Sequence, residues 1–109
     1  MPTPRSFEGF TTKIPRNTRS YGGGHFVDLS NATNENIRKH LGTSLSTERK
    51  EKYSRSIWVM HQDTGFVYRV YMSFGEWRIG TVVTDVYRRP ENNGTYREIA
   101  MKLKEILDK

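Results

Sequence analysis

The sequence contains no cysteine, which excludes disulfide bonds and any chemistry that depends on a thiolate. No apolar run approaches the roughly 20 residues that a membrane-spanning helix needs. The first residues also lack the apolar block of a signal peptide. We therefore expect no membrane partner and a location in the cytoplasm, either of the cell that makes the protein or of a host that it enters.

Patterns typical of metal ligands are scarce as well. The three histidines are too widely separated for a zinc signature, and no cysteine is present to complete one. The acidic residues near the predicted strands lack the spacing of a two-metal nuclease. There is no nucleophile elbow and no P-loop. We predict no metal ligands and no cofactor.

The charge is strongly one-sided. Lysine and arginine number 18 against 12 aspartates and glutamates, which gives a formal net charge of +6. A basic surface favours polyanions, chiefly RNA or DNA, and less often an acidic lipid or an acidic protein. The plainer alternative is that the charge serves only solubility.

The chain length of 109 residues predicts one domain with a core of modest size. Residues 1–24 form a basic N-terminal arm that is interrupted by prolines and by the glycine run at positions 22–24. Residues 25–109 form a single α+β domain. Two arginines of the arm, Arg16 and Arg19, are candidate contacts for nucleic acid.

Three segments are predicted to be helical. Ser30 can cap a short helix over residues 31–41, and a second short helix follows over residues 46–54. The C-terminal helix begins after Thr95, because Glu98 stands at capping-box spacing from it. Its apolar residues recur at helical period, which predicts that one side of this helix packs on a sheet.

Strand signals cover residues 56–61, 66–74 and 77–88, separated by turns rich in aspartate and glycine. Residues 26–29 are a further candidate strand. We therefore predict an α+β fold with short N-terminal helices, a three- to four-stranded antiparallel sheet and a C-terminal helix packed on that sheet.

Strand alternation predicts a basic, aromatic face on the second strand, where Arg69 and Tyr71 point the same way. Such side chains suit phosphate contact and base stacking. Arg88 and Arg89 lie at the end of the third strand, and Arg97 lies in the first turn of the C-terminal helix. The alternative is a solvated face stabilised by ordinary cation–π packing.

Three segments carry a resemblance to a known family: residues 67–71 (VYRVY), 81–89 (TVVTDVYRR) and 96–100 (YREIA). They resemble the RelE-type toxins and, more widely, the barnase, EndoU, colicin and RelE-like ribonucleases, over about half of the chain. The resemblance implies a metal-independent endoribonuclease in which arginines and a tyrosine drive attack of an RNA 2′-OH on the adjacent phosphate. Matched by position, the arginines are Arg69 and Arg88 or Arg89, and the tyrosine is Tyr96.

The catalytic roles that we predict follow from that chemistry. Arg69 stabilises the phosphorane, and Arg89 holds the neighbouring phosphate. Tyr96 stacks on a base or transfers a proton, and His25 is the alternative base because its ordinary pKa is near the working pH. The predicted nucleic-acid contacts are Arg88, Arg97, Tyr71, Arg16 and Arg19.

The sequence is also compatible with two other interpretations of its fold and function. The order of a helix, three antiparallel strands and a helix is also similar to a double-stranded-RNA-binding domain. A non-catalytic protein of viral or mobile-element type is the third possibility. It would inhibit a nucleic-acid-handling complex of a host, and its partner would be a protein.

Overall fold

The computed structural model describes residues 5–42 and 55–109. The elements in chain order are β1 (Ser6–Phe7), β2 (Phe10–Thr11), β3 (Gly23–Asp28), α1 (Asn34–Leu41), β4 (Arg55–His61), β5 (Val67–Ser73), β6 (Glu76–Val82), a 3-10 turn (Pro90–Asn92) and α2 (Asn93–Leu107). The α+β class is confirmed. The described residues form two helices and one six-stranded antiparallel sheet of order β1-β2-β4-β5-β6-β3.

The prediction of three to four strands was wrong, because the N-terminal arm adds strands to the sheet. Its first hairpin turns at Glu8 and Gly9, which both have positive φ, as the tight turns of two-residue hairpins require. Phe10 then pairs with His61 of β4 and is 1% exposed. Two-residue strands are too short to show alternation. The predicted boundary of the arm after residue 24 falls inside β3.

The central meander lies close to its predicted positions in β4 and β5, but β6 ends at Val82 rather than at position 88. The cause is Thr84, whose hydroxyl accepts hydrogen bonds from the backbone N–H groups of Val86 and Tyr87. Such a side-chain bond competes with strand pairing and turns the chain.

Helix α1 begins three residues later than predicted. Its cap is Thr33, whose hydroxyl accepts a hydrogen bond from the N–H of Asn36. Ile37 and Leu41 are buried, and Gly42 follows with a φ of 87°, a left-handed conformation that glycine adopts without a steric cost. The second predicted helix, over residues 46–54, lies outside the described residues.

Helix α2 begins at Asn93, so Thr95 lies inside the helix and is not its cap. The predicted apolar stripe is confirmed, because its members are all buried: Tyr96, Ile99, Ala100, Leu103, Ile106 and Leu107. They join one core cluster with Ile37 and Leu41 of α1 and with one face of the sheet, including Tyr68, Val70 and Ile79. In the described part of the chain, the other face of the sheet has no helix packed on it.

Candidate nucleic-acid interface

The sheet face opposite the helices, which we call the open face, carries the candidate site. Cross-strand pairing places Trp58 of β4, Arg69 of β5, Gly80 of β6 and His25 of β3 in one row across the sheet. Tyr71 lies two residues further along β5, on the same face, and pairs with Arg78. Three residues predicted from the sequence, Arg69, Tyr71 and His25, are therefore brought together.

The Arg69 guanidinium lies over the Tyr71 ring, with its Cζ 4.3 Å from the ring centroid. Gly80 makes room for this pair, since a Cβ at that position would stand 3.0 Å from the Tyr71 ring and 3.6 Å from Arg69 Nε. Arg69 makes no ion pair with any carboxylate among the described residues, and its Nε is buried without a hydrogen-bond partner. Its positive charge is therefore not neutralised by this part of the chain.

His25 stands between a carboxylate and a phenol. Its Nε2 lies 3.4 Å from Asp28 Oδ1, and its Nδ1 lies 3.3 Å from Tyr71 Oη. Residues three apart on a regular strand point to opposite faces. Here a β-bulge between His25 and Val27 inserts an extra residue into β3, so that His25 and Asp28 share the open face.

The polar network continues from Asp28 to Arg78 of β6. Arg78 Nε lies 3.5 Å from Asp28 Oδ1, and Arg78 Nη2 lies 3.7 Å from Glu76 Oε2. Two carboxylates therefore offset the charge of Arg78. Of the two arginines on this face of β5 and β6, Arg69 is the one without a carboxylate partner among the described residues.

A groove opens beside Arg69, with a volume of about 260 Å³. Its lining residues are Ser20, Gly22, Gly23, Trp58, Arg69, Thr81 and Val82. Sequence reasoning missed Trp58 as a site residue. The available signal was strand alternation within residues 56–61, but only the pairing of β4 with β5 sets Trp58 beside Arg69.

The remaining predicted arginines lie elsewhere. Arg88 stacks on the Tyr21 ring at 4.2 Å and lies 3.6 Å from Asp85. With the highly exposed Arg89 it lines a second cavity of about 240 Å³. Arg97 belongs to α2 and lies 5.7 Å from the ring of Phe26.

The two arginines of the arm, Arg16 and Arg19, are exposed. Neither forms an ion pair within the part of the chain that the structure describes. Among the described residues, no hydrogen bond, ion pair or ring contact joins these two, or Arg88, Arg89 and Arg97, to the Arg69 cluster.

Tyr96 does not belong to the site, which corrects the prediction from the sequence. It is 0% exposed. Its hydroxyl donates to the carbonyl of Val67 at 2.6 Å and accepts from the N–H of Val82 at 3.1 Å. Burial raises the pKa of Tyr96 far above its usual value, while the bond from Val82 opposes that rise only in part. A group held in this way can neither stack on a base nor transfer a proton to a substrate.

Within residues 5–42 and 55–109, no group of three or more histidine and acidic side chains is arranged to hold a metal ion. No described helix has both the length and the apolarity to cross a membrane. No protein-family model, curated protein or solved structure matches this chain. The resemblance to RelE-type ribonucleases therefore stays a prediction.

Proposed function

We propose that this protein binds RNA through the open face of its sheet. The observation that carries the proposal is Arg69, whose guanidinium lies over the Tyr71 ring and has no carboxylate partner among the described residues. A phosphate is the complementary ligand for such a group, because a guanidinium can donate two parallel hydrogen bonds to its oxygens. The proposed setting is the cytoplasm.

Long-range charge supports the same partner. A net charge of +6 attracts a polyanion from a distance and speeds its association. Arg16 and Arg19 of the arm are exposed and form no ion pair among the described residues, so they add positive charge beyond the Arg69 groove. Contact with phosphates releases counterions, so affinity is expected to fall steeply as salt increases.

The test is a titration of fluorescently labelled single-stranded RNA and DNA, followed by anisotropy over a range of salt concentrations. Arg69→Ala should weaken RNA binding by about 10-fold or more, as loss of a charge-assisted hydrogen bond typically does. Arg38→Ala is the matched control, because Arg38 is an exposed arginine of α1 in the helical layer.

Equal affinities for the Arg69 and Arg38 variants would remove the open face as the binding site. Binding that does not change with salt would contradict contact with phosphates. If the protein bound DNA more tightly than RNA, DNA would replace RNA as the proposed ligand. A lack of any nucleic-acid binding, together with tight binding to a purified protein, would favour the inhibitor class instead.

A second candidate function, metal-independent RNA cleavage, is favoured by the placement of His25 between Asp28 and Tyr71 on the face that holds Arg69. A base and a phosphate-binding cation on one surface are what attack by a 2′-OH needs. His25 would take the 2′-OH proton. The new 2′-oxygen–phosphorus bond would form as the bond to the 5′-oxygen breaks, and that oxygen would take a proton from solvent.

Cleavage is tested by incubating labelled RNA with the purified protein, with and without EDTA. The expected products carry 2′,3′-cyclic phosphate and 5′-OH ends, and EDTA has no effect. His25→Ala and Arg69→Ala should each slow cleavage by about 10²-fold, whereas His40→Ala on α1 should not. Inhibition by EDTA, or full activity of His25→Ala, would refute the mechanism. If the unaltered protein did not cleave RNA, RNA binding would be the one proposed function that remains.

A further inference from the structure

The two tryptophans of the chain have different surroundings. Trp77 is 5% exposed, belongs to the core cluster and donates its indole N–H to Asn34 Oδ1 at 2.8 Å. Trp58 is only half-buried and lies on the open face, across from Arg69. The first ring serves packing, whereas the second leaves part of its surface at the edge of the groove.

Two glycines, Gly22 and Gly23, are among the residues that line the groove. Gly23 is packed so closely on β6 that a Cβ would lie 2.1 Å from the carbonyl oxygen of Thr81. Gly22 has a φ of 130°, and a Cβ there would meet nothing within 4 Å. No side chain from these two positions fills the space that faces Trp58, so a flat ligand can enter beside the indole.

We infer that the groove is a subsite for one unpaired nucleotide, whose base stacks on Trp58 while its phosphate contacts Arg69. This inference rests on the proposed RNA-binding function and narrows it to single-stranded RNA. Stacking on an indole requires a base whose flat face is free. In a duplex both faces of each base are covered by its neighbours, and the A-form major groove is too narrow for side chains to read.

The charge of the groove agrees with that ligand. Among the described residues that line the groove, Arg69 is the one that carries a charge, and the others are apolar or neutral. The carboxylates of Asp28 and Glu76 lie next to Arg78 and line a different cavity. A nucleotide presents one flat apolar surface and one negative group, and the groove offers an indole and a guanidinium to meet them.

Intrinsic tryptophan fluorescence reads this contact directly. Short single-stranded RNA of about ten nucleotides should quench the emission of the protein in a saturable manner. A Trp77→Phe variant, in which Trp58 is the one remaining indole, should keep the quenching. Should that variant fold poorly, Trp58→Phe in the unaltered background should abolish most of the signal change. An RNA duplex of equal length should quench the tryptophan emission weakly and should compete weakly with the single strand for the protein.

A binding titration uses Trp58→Ala. This variant should bind the single strand about 5- to 150-fold more weakly, the range found for loss of one base–aromatic stack. Phe74→Ala is the matched control, since Phe74 is 84% exposed at the opposite hairpin of the sheet. Circular dichroism checks that both variants are folded.

The outcomes separate this inference from the function on which it rests. Salt-dependent binding of RNA that leaves Trp58 fluorescence unchanged, or equal affinities for the Trp58 and Phe74 variants, would overturn the subsite and keep the RNA-binding function. Equal quenching by duplex and single strand would refute the single-stranded ligand. Failure of RNA to bind the unaltered protein at low salt would remove both proposals.

Discussion

The hydroxyl of Tyr96 joins two strands at the point where their pairing stops. The ladder between β5 and β6 ends at the pair Tyr68 and Thr81. Beyond it, the Tyr96 hydroxyl bridges the carbonyl of Val67 and the N–H of Val82. Tyr96→Phe removes this bridge without changing the ring, so both backbone groups lose their partner inside the core.

The cost follows from the number of groups left unsatisfied. One buried donor or acceptor without a partner costs about 1–3 kcal/mol, and two such groups give about 2–4 kcal/mol after some relaxation of the chain. Urea denaturation monitored by circular dichroism should show this loss as a lower midpoint with an unchanged slope. The melting temperature should fall by about 10 °C or more.

Tyr87→Phe is the matched control for this measurement. The Tyr87 ring stacks on Tyr96 with centroids 3.7 Å apart and planes 8° apart, but its hydroxyl donates to Asn93 Oδ1 at the surface. Its loss should cost less than about 1 kcal/mol. Equal losses for the two variants would refute the bridging role. RNA binding by folded Tyr96→Phe should remain normal, and its disappearance would restore Tyr96 to the site.

Two further predictions concern stability. Phe74 has a φ of 52° in the two-residue turn between β5 and β6 and is 84% exposed. Because asparagine tolerates a positive φ better than phenylalanine, Phe74→Asn should raise the free energy of unfolding by about 0.5–1 kcal/mol. A lower free energy of unfolding in a urea melt would contradict a strained turn. Asp108 accepts hydrogen bonds from Lys104 Nζ at 2.7 Å and from the N–H of Asn31 at 3.1 Å. Burial alone would raise the pKa of Asp108, but these bonds outweigh it and lower the pKa. The ionised form is thus favoured by folding, so its contribution is present above the ordinary carboxyl pKa and is lost as pH falls through the lowered one. Asp108→Asn should cost about 1–3 kcal/mol at neutral pH and almost nothing in strong acid, and a loss that is equal at both pH values would refute this linkage.

Periodicity made the long elements predictable. The apolar stripe of α2 repeats over about three turns, and β4 and β5 are rich in β-branched and aromatic residues and are separated by a turn. Each of these patterns is carried by many residues, so one residue that departs from the pattern does not obscure it. Tyr96 shows the limit of such a pattern: the same stripe that predicted the helix also carried Tyr96 into the core, where its hydroxyl meets backbone groups.

The proximity of His25 and Asp28 depends on a β-bulge, which leaves no periodic pattern in the sequence. Arg69 and Tyr71 were placed together by alternation along one strand, but Asp28 was not connected to His25. The bulge after His25 changes the side-chain alternation of β3. One extra residue in a strand is set by tertiary fit, so local composition does not reveal it. Trp58 was missed for a related reason, because its neighbour is fixed by cross-strand register.

If RNA binds to the open face as we propose, the distribution of charge on that face predicts the direction in which the RNA would extend. Towards the β5–β6 hairpin, Arg78 is offset by Asp28 and Glu76, so that end attracts phosphates weakly. Towards the opposite end, the groove at Arg69 is followed by the arm, where Tyr21 pairs with Val83 through the backbone and carries Arg88 on its ring. Arg88 is itself offset by Asp85 at 3.6 Å, but Arg16 and Arg19 of the arm form no ion pair among the described residues. A polyanion bound at Arg69, as we propose, would therefore gain more from extending towards the arm than towards the hairpin, because the attraction between charges falls with distance and with neutralisation by neighbouring carboxylates.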